Sequence, residues 1–226
     1  QLVVTLSRMH RGRACDPDNR TATVEAGCVR QALQAEAEAH DLLFPLRLGS
    51  EGSCTIGGNL ASNAGGTQVV RYGNARELCL GLEVVTPQGD IWDGLTGLRK
   101  DNTGYDLRNL FIGSEGTLGI ITAATMKLFP QPVARLTAFA AVPSMQAAVR
   151  LLGLAHQHLS AGLTGFEVMG QFALSLVVKH MPQLRVPFAG MDGAPYCVLL
   201  ENSDSESEAH ARQRFESLLE LAFEDG

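Results

Sequence analysis

The sequence has no excess of positive charge, no long apolar run and no paired cysteines. Its 18 Lys and Arg residues stand against 24 Asp and Glu, a formal net charge of −6, which argues against a nucleic-acid-binding surface. No apolar run reaches the roughly 20 residues that cross a bilayer, and no signal-peptide pattern opens the chain. The five cysteines are odd in number and include no C-x-x-C pair. They indicate reduced thiols and a cytoplasmic protein.

Several well-known catalytic and nucleotide-binding motifs are also missing. The chain contains no G-x-G-x-x-G, no G-x-x-x-x-G-K-[ST] and no G-x-S-x-G. A nicotinamide-type Rossmann turn, a P-loop and an α/β-hydrolase elbow are therefore not supported. The six histidines form no H-E-x-x-H, and none lies between Asp41 and Ala155. That long segment offers no imidazole base.

Glycine is abundant in two separate stretches. Residues 45–66 read PLRLGSEGSCTIGGNLASNAGG, and residues 113–122 read GSEGTLGIIT. The first stretch is too rich in small residues for a stable helix. Glycines let the backbone approach a ligand closely, and free backbone N–H groups suit phosphate oxygens. Together the two stretches predict one large phosphate-bearing cofactor, although a tight turn at Gly57-Gly58 or a helix end at Gly65-Gly66 would explain either pair alone.

Two individual residues, Cys54 and Glu167, each have two possible roles. Cys54 lies inside the first glycine-rich stretch and could be reactive, but a small packing residue is the more common role. Glu167 could be a site carboxylate, but an exposed strand residue explains it more simply.

The pattern of elements predicts an α+β protein in two parts. In the first part, residues 2–6 are strand-like, residues 29–40 form a short amphipathic helix, and two strands meet at a turn over residues 87–90. Pro130 and Pro132 mark the boundary. We therefore expect domains over residues 1–132 and 133–226.

The second part follows the order β-α-β-α-β-α, which predicts helices covering one face of a sheet. Ser144 is expected to cap the first helix. Ser203 and Glu206 fit an S-x-x-E capping box for the last one, which is expected to run through Phe223. Both ends of the sequence read as cut, since residue 1 is Gln and the strand-like run begins at residue 2.

Three motifs in order carry a family resemblance: PLRLGSEGSCTIGGNLASNAGG, RYGNARELCLGLEVVTPQG and LRKDNTGYDLRNLFIGSEGTLGIITAATMKLFPQP. They resemble FAD-linked oxidases of the vanillyl-alcohol oxidase type, with a PCMH-type FAD-binding fold. Within this family the similarity is greatest to D-2-hydroxyglutarate dehydrogenases, D-lactate dehydrogenases and the flavin subunit of glycolate oxidase. The resemblance covers residues 2–132 and continues more weakly through 166–169 and 195–202.

The resemblance implies a PCMH-type FAD-binding domain, incomplete at its N-terminus, followed by the start of an α+β substrate (cap) domain. It implies non-covalent FAD, in keeping with the histidine-free segment. The pyrophosphate and ribityl region would lie beside Gly52, Ser53, Ile56, Gly57 and Gly58. The wall toward the isoalloxazine would continue through Asn59, Asn63, Ala64, Gly65 and Gly66. Tyr72 and Gly73 would lie near the cofactor, and Gly116, Gly119, Ile120 and Ile121 would line its adenine end.

Two parts of the family pattern are expected outside these residues. The P-x-G-G-x-T-G loop would precede Gln1, and the substrate-binding arginine and lysine, with a metal-binding histidine set, would follow Gly226. We therefore name no catalytic residue and no metal ligand, and we expect the 226-residue fragment to bind FAD weakly and to be inactive.

The expected activity of the whole protein is oxidation of a D-2-hydroxy acid, with hydride transfer from the substrate Cα to flavin N5. Its partners would be this small molecule and an electron acceptor, and it could form an oligomer or join an oxidase complex. Three alternatives stay open: an oxidase of another alcohol or an aldonolactone with the same flavin fold, a non-catalytic flavin-fold subunit, and an interaction module that has lost the cofactor.

Overall fold

The computed structural model describes residues 4–224. The strand expected over residues 2–6 begins outside the described part, and it is wrong for residues 4–6, which belong to no strand. Contacts between Cα atoms divide the chain into two compact units, residues 1–131 and 132–226. Both units combine helices with antiparallel sheets, which confirms the α+β class. Among residues 4–224 no helix has the length and apolar character needed to cross a membrane.

The first unit is built on a five-stranded antiparallel sheet with the strand order β1-β2-β6-β4-β5. A separate two-stranded pair joins β3 to β7. The strands are β1 (Gly12–Asp16), β2 (Thr21–Glu25), β3 (Leu42–Leu43), β4 (Cys79–Val85), β5 (Ile91–Gly94), β6 (Ile120–Lys127) and β7 (Phe129–Pro130). The helices are α1 (Arg30–Glu38), α2 (Ile56–Ala61), α3 (Val69–Tyr72) and α4 (Arg108–Phe111).

The core of this unit lies between the sheet and the helices α1 and α2. Val24, Leu82 and Met126 come from the three central strands, while Leu33 and Leu60 come from the two helices, and all five are buried. The apolar spacing of α1 predicts this packing, because residues 33 and 37 fall on one face of the helix. Burying such side chains contributes roughly 1.5–3 kcal/mol each.

A buried arginine fixes the chain that follows α1. The side chain of Arg30 donates hydrogen bonds to the carbonyl oxygens of Leu46 (2.6 Å) and Phe44 (3.2 Å) and to the Glu51 carboxylate (3.0 Å). Burial lowers the pKa of the guanidinium, and the charge of Glu51 opposes this shift. Arg30 therefore holds the segment that leads into the glycine-rich loop.

The second unit is a three-stranded antiparallel sheet with the strand order β8-β10-β9 and three helices. The helices α5 and α7 pack against each other and against the sheet. The element order is the expected β-α-β-α-β-α: β8 (Ala134–Val142), α5 (Met145–Leu159), β9 (Leu163–Gly170), α6 (Gln171–His180), β10 (Tyr196–Asp204) and α7 (Glu208–Glu224). Assignment of this unit to a substrate domain stays a prediction.

Of the two helix caps expected in this unit, one is confirmed and one is wrong. Ser144 Oγ accepts a hydrogen bond from the Ala147 amide at 3.1 Å, as expected. The capping box at Ser203 and Glu206 does not form, because β10 continues through Asp204 and α7 begins at Glu208. Instead, Ser207 Oγ accepts from the His210 amide at 3.1 Å.

Replacing Arg30 tests its role in the first unit. We expect Arg30→Met to lower the free energy of unfolding by about 2–4 kcal/mol, because two buried carbonyl oxygens lose their donors. The single tryptophan, Trp92, lies in this unit on β5, so its fluorescence during guanidinium denaturation reports the loss.

The matched control is Arg8→Met, which removes an exposed arginine. We expect it to change the free energy of unfolding by less than about 0.5 kcal/mol. Equal effects of the two substitutions would contradict the role given to Arg30.

Candidate functional site

The first glycine-rich stretch contains the short helix α2, so the expectation that it forms no helix is wrong for Ile56–Ala61. The first turn of α2 is hydrogen-bonded to the residues that follow β2. The amides of Ile56 and Gly57 donate to the carbonyl oxygens of Cys28 (2.9 Å) and Ala26 (2.7 Å). Thr55 caps the helix by accepting from the Gly58 amide at 3.3 Å. The expectation that the glycine amides are free donors is therefore wrong for Gly57 and Gly58, since both serve the protein's own structure.

Gly57 is glycine because α2 lies against the backbone of Ala26. A Cβ atom at position 57 would stand 2.6 Å from Ala26 Cβ, closer than carbon atoms pack. The Ala26 amide in turn donates to the Thr122 carbonyl of β6 at 2.9 Å. The missing side chain at Gly57 thus allows α2, β2 and β6 to meet.

The second glycine-rich stretch is attached to the other end of α2. The amides of Gly113 and Glu115 donate to the carbonyl oxygens of Leu60 (3.0 Å) and Ala61 (2.9 Å), in the last turn of the helix. The Leu60 carbonyl also accepts from the Asn63 amide at 3.0 Å, so these bonds supplement the helix end with contacts from the second stretch. Ala61 and Gly113 are 52 positions apart in the sequence. The two glycine-rich stretches therefore lie next to each other, and the helix α2 connects them.

Arg76 also forms hydrogen bonds that connect the two glycine-rich stretches. Its guanidinium donates to the carbonyl oxygens of Asn109 (3.1 Å) and Ile112 (2.6 Å), and its amide donates to Asn63 Oδ1 (3.0 Å). It therefore ties the end of the α2 segment to the start of the second stretch. The sequence does not predict this role, because arginine bonding to distant carbonyl oxygens leaves no local pattern.

The glycines at 65, 66 and 119 also have reasons within the protein itself. A Cβ at Gly65 would lie 2.3 Å from Asn74 Oδ1, and one at Gly66 would lie 1.5 Å from the Arg47 carbonyl oxygen. A Cβ at Gly119 would lie 2.7 Å from a Val84 methyl carbon. Nearby, Tyr72 packs edge-on against Phe129 with ring centroids 4.8 Å apart, and Gly73 takes a positive φ of 76°. These residues shape the region through packing.

Exposure separates the sixteen predicted cofactor residues into three groups. Those exposed are Gly52, Ser53, Gly58, Gly65, Gly116 and Ile120. Those partly buried are Asn63, Ala64, Gly66, Tyr72 and Gly73. Those buried are Ile56, Gly57, Asn59, Gly119 and Ile121. A ligand can touch the exposed residues directly, whereas the buried ones can act only through the shape of the backbone.

We call the exposed strip along Gly58, Ser62, Glu115 and Gly116 the α2 face. Gly58 and Ser62 are one helical turn apart and linked by a 3.0 Å bond from Ser62 Oγ to the Gly58 carbonyl. Glu115 is held beside them by its bond to Ala61. No protein atom lies within 4 Å of a Cβ built at Gly116. This small-residue surface fits the expectation of a flat, extended cofactor lying close to the backbone.

The surroundings of Cys54 and Glu167 agree with the simpler role expected for each. Cys54 is half-buried, and its Sγ accepts from Asn59 Nδ2 at 3.5 Å, in line with a packing role. Glu167 is an exposed residue of β9.

A polar cleft of about 680 Å³ lies in the same unit, and residues of β4 and β5 contribute to its lining. Asp101, residues 103–106 and Arg108 of the third motif also line it. Hydrogen bonds from Arg108 hold the pKa of Asp106 below its ordinary value. Burial raises the pKa of the Cys79 thiol to about 12, so this thiol stays protonated at neutral pH and is no nucleophile.

Comparison with known proteins relates the chain to FAD-binding oxidoreductases. Residues 1–94 match a family model described as an FAD binding domain. The chain is 42% identical over 202 residues to the mitochondrial D-2-hydroxyglutarate dehydrogenase of Rattus norvegicus, covering 89% of this chain and 37% of that protein. Residues 1–94 thus carry an FAD binding domain, and nearly the whole chain is similar to FAD-linked oxidases. The predicted cofactor, FAD, is confirmed by the same match.

Two further relatives are similar to nearly the whole chain. A D-2-hydroxyglutarate dehydrogenase of Xanthomonas citri pv. viticola is 38% identical, covering 97% of this chain and 46% of that protein. A D-2-hydroxyglutarate–pyruvate transhydrogenase of Saccharomyces cerevisiae is 36% identical, covering 91% and 41%. The chain thus spans less than half the length of these relatives. The rat protein is named as mitochondrial, so a cytoplasmic location stays a prediction.

A solved structure shares the FAD-linked oxidase fold. An alkyldihydroxyacetonephosphate synthase superposes with a TM-score of 0.74 at 22% identity, covering 96% of this chain and 41% of that one. At this identity the likeness concerns the fold alone, and it confirms the predicted fold class.

Substitution of Gly57 tests the packing that brings the two stretches together. We expect Gly57→Ala to lower the free energy of unfolding by about 1–3 kcal/mol, because overpacking against Ala26 outweighs the gain in helix propensity. Guanidinium denaturation followed by Trp92 fluorescence measures this loss.

Gly49→Ala is the matched control, since a Cβ there meets no atom within 4 Å. We expect it to change the free energy of unfolding by less than about 1 kcal/mol. A Gly57→Ala protein as stable as the Gly49→Ala protein would show that α2 does not need this close contact.

Proposed function

We propose that the protein containing this chain oxidises a D-2-hydroxy acid with FAD, and that its substrate is D-2-hydroxyglutarate. The supporting observation is the combination of an FAD-binding match with relatives named for this substrate, at 36–42% identity. D-lactate and glycolate are the finer alternatives within the same reaction. When bound, FAD supplies the acceptor for the hydride that leaves the substrate Cα.

The role of this chain is to hold the cofactor. We propose that FAD lies along the α2 face, with Gly52, Ser53, Gly58 and Gly116 in contact with it. The buried members of the predicted set would act by keeping α2 and the second stretch in place. Since Gly57 and Gly58 use their amides within the protein, the cofactor would gain close van der Waals contact there more than backbone hydrogen bonds.

The residues that bind the substrate and move its hydroxyl proton are not assigned to this chain. Within residues 4–224 no carboxylate or imidazole lies on the α2 face except Glu115, which is exposed. We therefore propose that the substrate groups come from other parts of the protein, and that residues 1–226 alone bind FAD weakly and turn nothing over.

The activity is tested on the full-length protein by anaerobic bleaching of its flavin absorbance. We expect D-2-hydroxyglutarate to bleach the flavin at lower concentration than D-lactate or glycolate, and L-2-hydroxyglutarate to leave it oxidised. If D-lactate or glycolate bleached the flavin at lower concentration than D-2-hydroxyglutarate, that compound would be the substrate instead. A protein purified without flavin would favour the non-catalytic subunit.

The cofactor position is tested by Gly58→Leu in the full-length protein. The leucine side chain would project from the exposed side of α2 and obstruct the α2 face, so we expect FAD affinity to fall at least about tenfold, or about 1.4 kcal/mol. Stability should be kept, because leucine favours helix over glycine by up to about 1 kcal/mol. FAD titration by fluorescence quenching gives the affinity.

Gly153→Leu is the matched control, because Gly153 is an exposed glycine inside α5 with no atom within 4 Å of its Cβ position. It should bind FAD as the parent does. Unchanged affinity in Gly58→Leu would place the cofactor elsewhere without affecting the family assignment.

A further inference from the structure

Three side chains with metal-binding atoms meet at the end of α1 that lies away from the glycine-rich loop. Cys15 belongs to β1, Glu36 to α1, and His40 to the turn after α1. The Cys15 Sγ, a Glu36 carboxylate oxygen and a His40 ring nitrogen all lie within 4.8 Å of one another. The distance from Glu36 Oε1 to His40 Nε2 is 3.7 Å.

The placement follows from the fold. Glu36 and His40 are four residues apart, so they project from the same side at the end of α1. Cys15 faces them from the edge strand β1. A cavity of about 470 Å³ runs between this strand and the helix and includes Cys15, Glu36 and His10 in its lining. The half-buried thiol is therefore accessible to a small ion, and the two helix-side ligands are exposed.

An ordinary ion pair would explain why Glu36 and His40 lie close together, but it does not explain the position of the Cys15 thiol beside them. The thiol has two carboxylates near it, those of Glu36 and Asp16. A cation at this point would be attracted by both carboxylates and would bind the sulfur as a thiolate.

We propose that Cys15, Glu36 and His40 bind a zinc ion. One thiolate, one imidazole and one carboxylate form a mixed set that suits Zn²⁺, whereas Mg²⁺ and Ca²⁺ prefer oxygen ligands alone. Ligands of a tetrahedral zinc ion lie about 3.5 Å apart, given bonds of about 2.0–2.3 Å. Small rotations of the exposed side chains bring the three atoms to this spacing, and a water molecule completes the fourth position.

Such an ion would join the edge strand β1 to the end of α1. Its effect would be on the stability of the first unit, independent of flavin reduction. The proposal uses none of the residues assigned to FAD, so it stands or fails separately from the proposed function.

Cobalt(II) substitution tests the site in the full-length protein. The histidine set expected after Gly226 would give no thiolate band, so a thiolate-to-metal charge-transfer band reports this site alone. We expect Co²⁺ to produce the band and Zn²⁺ to remove it. Zn²⁺ should also raise the melting temperature of the metal-free protein, and by less in Cys15→Ser. Cys15→Ser should abolish the charge-transfer band, and His40→Gln should lower zinc affinity at least about tenfold.

Cys54→Ser is the matched control, since it removes another half-buried free thiol outside the cluster. It should keep both the band and the thermal shift, and circular dichroism confirms that each variant is folded. The absence of a charge-transfer band in the parent would overturn the proposal. The proposal would also be overturned if the charge-transfer band persisted in Cys15→Ser or was lost in Cys54→Ser.

Discussion

The close contact between Gly57 and Ala26 is the constraint on which the candidate site depends. Only a residue without a side chain lets the first turn of α2 rest on the end of β2, with the Gly57 amide bonded to the Ala26 carbonyl at 2.7 Å. Ala26 is at the same time bonded to Thr122 of β6. One missing Cβ therefore fixes the helix to two central strands of the sheet.

From this contact the rest of the site is assembled through backbone carbonyl oxygens. The last turn of α2 offers those of Leu60 and Ala61 to the second glycine-rich stretch, and Arg76 bridges that stretch to Asn63. Arg30 likewise donates hydrogen bonds to the backbone carbonyl oxygens of the segment that enters the first stretch. Each of these bonds satisfies a group that would be costly to leave unpaired in a buried region. The α2 face is thus positioned by hydrogen bonds within the protein itself.

The sequence predicts that the two glycine-rich stretches lie together, but the reason it suggests for several glycines is wrong. The glycine-rich stretches were expected to meet, and they do, because spacing and residue size point to close backbone approach. The reason for Gly57, Gly66 and Gly119 is nevertheless contact with Ala26, Arg47 and Val84, which lie far away in sequence. A glycine that admits a cofactor and one that admits a neighbouring strand look the same in a sequence.

The features that sequence reasoning missed depend on long-range geometry. Arg30 and Arg76 act on carbonyl oxygens, which every residue carries, so no pattern of residue types identifies them. The start of α7 shifted to Glu208 because pairing along β10 outweighed a local capping motif. Glu36 and His40 are four residues apart, but Cys15 is distant in sequence and reaches them only through the folding of the first unit. Tertiary packing decided each of these outcomes.

Hydrogen–deuterium exchange of the full-length protein, with and without FAD, tests the central claim most directly. That claim is that one surface, organised by α2, joins the two glycine-rich stretches into a single cofactor wall. The account predicts that FAD slows exchange in peptides covering residues 52–66 and 113–121 together, with the same dependence on FAD concentration. Protection of only one of these segments, or of neither while FAD is bound, would contradict it.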